Sequence, residues 1–436
     1  MKDVATVQAG QGSASLLRRL LRPFPRIGPG LITGVADDDP SGIATYSQAG
    51  AQFGLNMLWT LPLTYPLMSA VQSMCARLGR VTGKGLAANI KAHFPPWVLF
   101  SVVILLVTAN TLNIAADVAA MGESAQLVTG WDRHLLTLLF AGLGLGLQLL
   151  VPYHRYVVYL KWLTLALLAY AAVLFTVHVP WGEVALRTVA PRLKLDAGAA
   201  TVVIAVFGTT ISPYLFFWQA SEEIEDMEEA GHQVDRAPLA ENPARAPEEL
   251  RRIRWDTWSG MLYSNLAAYC IVLATGVTLH AAGITDIQSA AQAAGALRPV
   301  AGDFTFVVFT LGILGVGLIG VPVLAGSSAY AMAEAFGWRW GLERRAWDAP
   351  GFYGVITAGV LIGVALEYTP IDPMKALFWS AVINGVVAAP MVVLVVLLSR
   401  RSDVMGPFTA SRTLAALGWL TAALMGAATL GMLTLS

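Results

Sequence analysis

Long apolar stretches separated by short polar segments run along the whole chain, a pattern typical of a multi-pass membrane protein. A helix that crosses a bilayer needs about 20 largely apolar residues. Eleven stretches meet this requirement, at residues 28–53, 56–78, 97–127, 135–152, 156–178, 197–219, 257–281, 302–334, 352–368, 374–398 and 412–434. The predicted fold class is therefore an all-helical integral membrane protein with eleven transmembrane helices.

Two of these stretches are interrupted by residues that do not suit a continuous helix in lipid. The first contains ADDDPSG at residues 36–42, and the sixth contains GTTISP at residues 208–213. Proline breaks a helix and frees backbone carbonyls, which are tolerated at membrane depth only where they line a cavity. Two broken helices five apart predict two inverted five-helix repeats (helices 1–5 and 6–10) followed by an eleventh helix, with a binding site between the breaks.

The distribution of basic residues predicts the orientation. With the N-terminus in the cytoplasm, 22 of the 28 Lys and Arg residues lie on the inner side, as the positive-inside rule requires. We expect a plasma-membrane protein with its C-terminus outside, a cytoplasmic leader at 1–27 and a single transporter domain at 28–436. That domain includes a cytoplasmic loop at 220–255, whose acidic start is either a cation-attracting funnel or a solvated helix end.

Composition supports the membrane assignment and limits the function classes. The chain is 56% hydrophobic and 13% charged, with a mean hydropathy of +0.62, whereas soluble domains are about 25% charged. Cys75 and Cys270 fall in separate predicted helices without metal-ligand spacing, so each is interpreted as a buried small hydrophobe. No nucleophile–base pair occurs at membrane depth, so an enzyme is not predicted. The lipid bilayer is an expected partner, and nothing indicates a nucleic acid, a protein partner or a resident cofactor.

Carboxylates without basic partners indicate a cation as the ligand. Asp37, Asp38, Asp39 and Asp117 lie within predicted spans that offer no arginine or lysine to pair with them. A buried carboxylate without a partner either stays protonated or meets a cation. Both breaks offer only oxygen donors, which suit magnesium, calcium and manganese. Small neighbouring side chains leave room for an ion that keeps several waters.

The two breaks resemble motifs of a known family. GPGLITGVADDDPSGIATYSQAGAQFG (28–54) resembles the first helix of the NRAMP family of divalent-metal transporters, whose marker there is Asp-Pro-Gly-Asn. FGTTISPYLF (207–216) resembles the sixth-helix stretch of that family, normally Gly-Ala-x-x-Met-Pro-His. The resemblance covers nearly the whole chain and implies alternating access to a central metal site.

The resemblance also implies which residues hold the metal. Asp39 is the expected main ligand, directly or through water; alternatively it caps a helix within the break. The carbonyls of Ala36 and Thr209 are the expected backbone contacts, unless they bond only to water. Thr210 and Ser212 are expected as weak ligands or as partners of the waters around the ion. Gly42 stands where the family places a liganding asparagine.

Other departures favour one branch of the family. Ser212 replaces a methionine whose thioether favours manganese, iron and cadmium over magnesium and calcium. Tyr214 replaces a histidine associated with proton handling and is expected to pack on the inner half-helix, near the gate. Ala120 replaces a glutamate used in proton transfer. These changes resemble the NRAMP-related magnesium transporters, prokaryotic proteins that carry magnesium and also manganese without obligatory proton coupling.

Four more polar residues have roles that the sequence leaves open. Asp37 and Asp38 either attract the cation or surround its waters, or one of them caps a half-helix, where negative charge is favourable. Asp117 is a remnant proton site, a group that tunes the cavity field, or a protonated partner in an interhelical hydrogen bond. Asn384 either faces the site or bonds across helices.

The sequence thus predicts uptake of Mg²⁺, and also of Mn²⁺, by alternating access. The membrane potential alone supplies about 2.3 kcal/mol per charge per 100 mV, so proton coupling is not required. The first alternative is proton-coupled symport of manganese or iron. The second is sodium-coupled amino-acid transport on the same scaffold, which three carboxylates beside the first break disfavour because they repel a substrate carboxylate.

Overall fold

The computed structural model describes residues 29–151, 160, 162–193, 196–229, 237–368 and 372–435, so the predicted leader at 1–27 lies outside the described residues. Every regular element of the described residues is a helix. The principal ones are α1 (Pro29–Asp37), α2 (Pro40–Phe53), α3 (Thr60–Thr82), α4 (Leu86–His93), α5 (Pro96–Thr129), α6 (Arg133–Leu150), α7 (Ala197–Thr210), α8 (Pro213–Glu229), α9 (Ala246–Thr275), α10 (Thr305–Phe336), α11 (Pro350–Glu367), α12 (Pro373–Arg400) and α13 (Arg412–Leu435).

Ten of the eleven predicted spans coincide with these helices, and seven helical segments of the described residues are long and apolar enough to cross a bilayer. The predicted fifth span overlaps the short helix Leu168–Val173, while 152–159 lies outside the described residues. The seventh span was placed wrongly at its start, because α9 begins at Ala246 rather than at 257. The all-helical, multi-pass fold class is confirmed.

Both predicted helix breaks are present. The first span divides into α1 and α2 at Asp38–Asp39, where Asp39 is extended (φ −69°, ψ 173°). The sixth span divides into α7 and α8 at Ile211–Ser212. Pro40 and Pro213 each begin the second half-helix, where the missing N–H removes no hydrogen bond because first-turn donors have no partner within the helix. The prolines therefore fix where each half-helix starts.

Half-helix α1 lies in direct backbone contact with α9. A Cβ atom added at Gly34 would lie 2.2 Å from the carbonyl oxygen of Gly260, so only glycine permits this approach. At the start of α1, the Asp256 carboxylate of α9 accepts hydrogen bonds from the backbone N–H groups of Gly30 (2.7 Å) and Leu31 (3.3 Å). These groups have no partner within their own helix. Helix α9 thus both packs against α1 and caps it.

A network of ion pairs joins α3, α8 and α9 at this end of the molecule. Arg80 lies 3.0 Å from Glu249, which also bonds Arg252 at 3.1 Å, and Arg252 pairs with Glu223 at 2.5 Å. The sequence predicts that the acidic segment after residue 220 is either a cation-attracting funnel or a solvated helix end, and both predictions place its carboxylates in water. The prediction is wrong for Glu223, which is fully buried on α8, a helix that continues to Glu229. The arginines of α3 and α9 compensate the cost of burying this charge.

Two more buried carboxylates hold α8 and α10 in place. Glu225 accepts hydrogen bonds from the Tyr330 hydroxyl (2.6 Å) and from the backbone N–H of Leu342 (2.8 Å). Glu334 accepts one from the backbone N–H of Ala88 at 3.0 Å, in the first turn of α4. This end of the helix bundle is therefore closed by charged and polar contacts.

A cleft of about 420 Å³ lies on the opposite side of the first break. It runs between α2, α7 and α12, and its lining includes Gln48, Gln52, Thr201, Phe378 and Trp379. Its rim reaches the surface, since Trp379 is 54% exposed. The protein is thus closed on the α1 side of the first break and has an open cleft on the α2 side.

The two cysteines are free, as the sequence predicts. Cys75 is buried in α3, whereas Cys270 is only partly buried in α9, so the prediction of burial holds fully for the first alone.

Candidate metal site

The Asp39 carboxylate lies in the first break and is only 1% exposed. One oxygen, Oδ1, accepts from the Ser41 hydroxyl (2.6 Å) and from the Gly42 N–H (2.8 Å). The other, Oδ2, accepts from the side-chain amide of Asn113 (2.9 Å) and lies 3.3 Å from the Tyr214 hydroxyl. A carboxylate has about four lone-pair positions, and three of them have a donor that no other acceptor shares. The bond to Gly42 also makes Asp39 the N-cap of α2, which was its alternative predicted role.

The second break meets the first at this carboxylate. The Thr209 Oγ1 atom lies 3.3 Å from the position that a Cβ atom at Gly42 would occupy. Ser212 donates to the Thr209 carbonyl at 2.8 Å, and Thr210 donates to the Val206 carbonyl at 2.8 Å. These hydroxyls use their single hydrogen within the helix, and their oxygens keep lone pairs. Their predicted role as weak ligands stays a prediction.

Tyr214 connects the two breaks. Its hydroxyl lies 3.3 Å from the Ala36 carbonyl oxygen and 3.3 Å from Asp39 Oδ2. The sequence interpretation of Tyr214 as a packing residue was incomplete, because its hydroxyl also reaches both candidate ligands. The hydroxyl has one hydrogen, so Asp39 and the Ala36 carbonyl share one donor, and each keeps a lone pair for another partner.

Asp37 and Asp38 face α9. The Ser264 hydroxyl lies 2.6 Å from Asp37 Oδ2 and 3.1 Å from Asp38 Oδ1, and each aspartate has one further oxygen without a partner among the described residues. No arginine or lysine of the described part of the chain forms an ion pair with either carboxylate. The helix-capping role predicted for one of them is filled by Asp39 instead.

Asp117 and Asn384 are both buried on helices that face the site. Asp117 lies on α5 four residues after Asn113, and residues four apart share one face of a helix. Asn384 lies on α12, and neither atom of its amide has a hydrogen-bond partner among the described residues. Buried amides in this condition are places where water or a ligand binds. Their predicted roles stay open.

The sequence interpretation missed Asn113 and Ser380. The Asn113 amide donates to Asp39 through Nδ2 and accepts from the Ser380 hydroxyl through Oδ1 at 2.5 Å. A signal was present, because Asn113 precedes Asp117 by four residues and therefore shares its helix face. Neither residue is ionisable, so neither stands out as a charge at membrane depth.

The donor set suits a hard cation that keeps part of its hydration. The described residues contain no group of three or more His, Cys, Asp or Glu side chains that could hold a metal ion. The groups that contact Asp39 directly are the hydroxyls of Ser41 and Tyr214, the Gly42 N–H and the Asn113 amide, all neutral. Magnesium in particular is usually bound by one or two carboxylates and several waters.

Two broken helices that meet at a buried carboxylate define a class of membrane transporter with its substrate site at the helix breaks. Within that class the chain belongs to the Nramp family, because the model of "Natural resistance-associated macrophage protein-like" proteins matches residues 30–435. The family resemblance of the sequence is confirmed; its assignment to the magnesium branch stays a prediction.

Known relatives agree with this assignment. The chain is 27% identical over 403 residues to the "Divalent metal cation transporter MntH" of Acidiphilium cryptum (87% of this chain, 83% of that protein). It is 27% identical over 413 residues to the protein of the same name from Verminephrobacter eiseniae (88% and 86%). A crystal structure of the Eremococcus coleocola manganese transporter shares the fold, with a TM-score of 0.71 at 18% identity (93% and 85%). These relatives are named as transporters rather than enzymes, as predicted.

Proposed function

We propose that this protein carries divalent metal cations across the plasma membrane, Mg²⁺ first and Mn²⁺ as well, with its N-terminus in the cytoplasm. The observation that carries the proposal is the buried Asp39 carboxylate, which lies between two helix breaks and is contacted only by oxygen and nitrogen groups. The family and the names of the relatives support a divalent cation as the substrate. Alternating access brings the ion from the cleft on the α2 side to the α1 side.

Ser212 supports the preference for magnesium. Neither break contains a histidine, cysteine or methionine, and soft or imidazole donors are what favour the later transition metals. The Ser212 hydroxyl lies 2.9 Å from the Gly208 carbonyl oxygen and 2.8 Å from the Thr209 carbonyl oxygen, so its one hydrogen points back toward α7. A short side chain turned back on its own helix leaves space for the waters that Mg²⁺ retains.

Replacing Ser212 with methionine is expected to raise the ratio of Mn²⁺ to Mg²⁺ uptake about tenfold, equivalent to about 1.4 kcal/mol. The thioether adds a soft donor and fills space that hydration waters need. Competitive uptake of the two ions into proteoliposomes measures the ratio. Ser259→Met, on the exposed surface of α9, is the control and is expected to leave the ratio of Mn²⁺ to Mg²⁺ uptake unchanged. An unchanged ratio in Ser212→Met would refute the role of this position in selectivity.

Transport is proposed to run without proton coupling. At the position of the histidine associated with proton handling, the phenol of Tyr214 contacts Asp39, and a phenol does not exchange protons near neutral pH as an imidazole does. The membrane potential supplies about 4.6 kcal/mol per 100 mV for a dication, twice the value for one charge. Buried Asp117 favours the alternative, proton-coupled Mn²⁺ symport, because it adds a carboxylate on the face of α5 that also carries Asn113.

The proposed substrate is tested by ion uptake into proteoliposomes with a negative internal potential. We expect Mg²⁺ and Mn²⁺ to enter with the wild-type protein and neither to enter protein-free liposomes. Uptake of Mn²⁺ without Mg²⁺ would contradict the proposed preference and favour the alternative.

A further inference from the structure

The side-chain amide of Asn113 joins Asp39 in the first break to Ser380 on α12. Its Nδ2 lies 2.9 Å from Asp39 Oδ2, and its Oδ1 lies 2.5 Å from the Ser380 Oγ. Asn113 is fully buried, so the orientation of the amide is set by these two partners. In this orientation it donates to the carboxylate.

Ser380 can also support the opposite orientation of the amide. Its Oγ lies 2.7 Å from the Leu377 carbonyl oxygen as well as 2.5 Å from Asn113 Oδ1. A hydroxyl has one hydrogen and two lone pairs. When it donates to Leu377, its oxygen is free to accept from Asn113 Nδ2. Rotation of the amide by half a turn therefore keeps a partner for its N–H group at Ser380 Oγ and turns its carbonyl oxygen toward Asp39 Oδ2, where a cation between the two oxygens satisfies both.

The distance between the amide and the carboxylate matches that between two ligands of one ion. Magnesium binds oxygen at about 2.0–2.1 Å in octahedral geometry, so adjacent ligands lie about 3 Å apart. The amide atom facing Asp39 Oδ2 is 2.9 Å from it. After rotation that atom is Oδ1, and two oxygens stand at the required separation without movement of the backbone.

On the basis of the proposed function, we propose that Asn113 is a metal ligand whose amide reverses when a divalent cation arrives. In the empty site its N–H group stabilises the Asp39 carboxylate. In the loaded site its carbonyl oxygen binds the ion beside Asp39, and Ser380 accepts the displaced N–H group. Only a side chain with both a donor and an acceptor can serve the two states, which is why an amide suits this position.

The inference is tested by calorimetric titration of the full chain in nanodiscs with Mg²⁺ and, separately, Mn²⁺. Asn113→Leu is expected to raise the Kd at least tenfold for each ion that the wild type binds. If Asn113 only occupies a lone pair of Asp39, the leucine variant frees that lone pair and the Kd falls or stays unchanged. Either of those results would overturn the inference.

Two further variants separate ligation from folding. Asn113→Asp keeps an oxygen at the site and is expected to retain binding, whereas Ser380→Ala removes the partner of the reversed amide and is expected to raise the Kd several-fold. Asn110→Leu is the matched control, since that buried amide bonds Leu324, Ser327 and Ser328 and not Asp39. It is expected to lower the Tm without changing the Kd. If Asn113→Leu fails to fold, an unchanged Kd in Ser380→Ala overturns the inference.

The result also separates this inference from the proposed function. A wild type that binds Mn²⁺ but not Mg²⁺ contradicts the proposed preference, while the Mn²⁺ titrations of the variants still decide the role of Asn113. A wild type that binds neither ion overturns both.

Discussion

Replacing Asp39 with asparagine is expected to reduce the initial rates of Mg²⁺ and Mn²⁺ uptake by about 100-fold or more. This loss is equivalent to at least about 2.7 kcal/mol. The substitution keeps the size and the helix-capping ability of the side chain, because asparagine is as good an N-cap as aspartate. It removes the carboxylate that lies between the two breaks and is contacted by Tyr214 of the second half-helix. Initial rates of uptake into proteoliposomes measure the loss.

Asp372 offers a closely matched control. It also caps a helix that begins with proline, accepting from the backbone N–H groups of Met374 (3.0 Å) and Lys375 (3.2 Å) at the start of α12. Asp372→Asn is expected to retain uptake, since it changes the same functional group outside the junction of the breaks. Comparable losses in the two variants would mean that Asp39 acts as a cap and not as a metal ligand.

Replacing Gly34 with valine is expected to abolish the closed packing of α1 against α9 and to reduce transport at least about tenfold. The new Cβ atom would lie 2.2 Å from the Gly260 carbonyl oxygen, and a backbone atom in a packed helix cannot shift cheaply. Half-helix α1 must therefore move away from α9, which also breaks its cap by Asp256.

Labelling of a cysteine introduced into α1 measures the displacement of this half-helix. In a background lacking Cys75 and Cys270, cysteine at the fully buried Thr33 position is expected to resist a water-soluble maleimide. The same cysteine is expected to react when Gly34→Val is added. Gly142→Val is the control, because a side chain there meets nothing within 4 Å. Normal transport and unchanged labelling in Gly34→Val would show that this contact is not needed for closure.

The positions of the membrane helices could be predicted because apolar length is a local property of the sequence. The breaks could be predicted for the same reason, since Pro40 and Pro213 act on their own helices. The start of α9 could not, because its first turns carry charged residues. Hydropathy assigns such residues to water, whereas Glu249 and Arg252 pair with α3 and α8.

The centre of the site was predictable, and most of its surroundings were not. Asp39 could be found because an ionisable group at a helix break in lipid is costly to bury and is therefore functional by default. Asn113 and Ser380 are neutral residues in otherwise ordinary spans, and they meet only because α5 packs on α12. Contact between residues 267 positions apart leaves no periodic pattern in the sequence. The direction of Asp37 and Asp38 toward Ser264 depends on tertiary packing in the same way.

The most direct test of uncoupled magnesium transport records internal Mg²⁺ and internal pH together in proteoliposomes under an inward Mg²⁺ gradient and a negative internal potential. The expected result is Mg²⁺ entry without acidification, absent with Asp39→Asn. Entry of Mn²⁺ with acidification and no entry of Mg²⁺ would contradict the account, and Asp117 would then become the carboxylate to examine as the proton site.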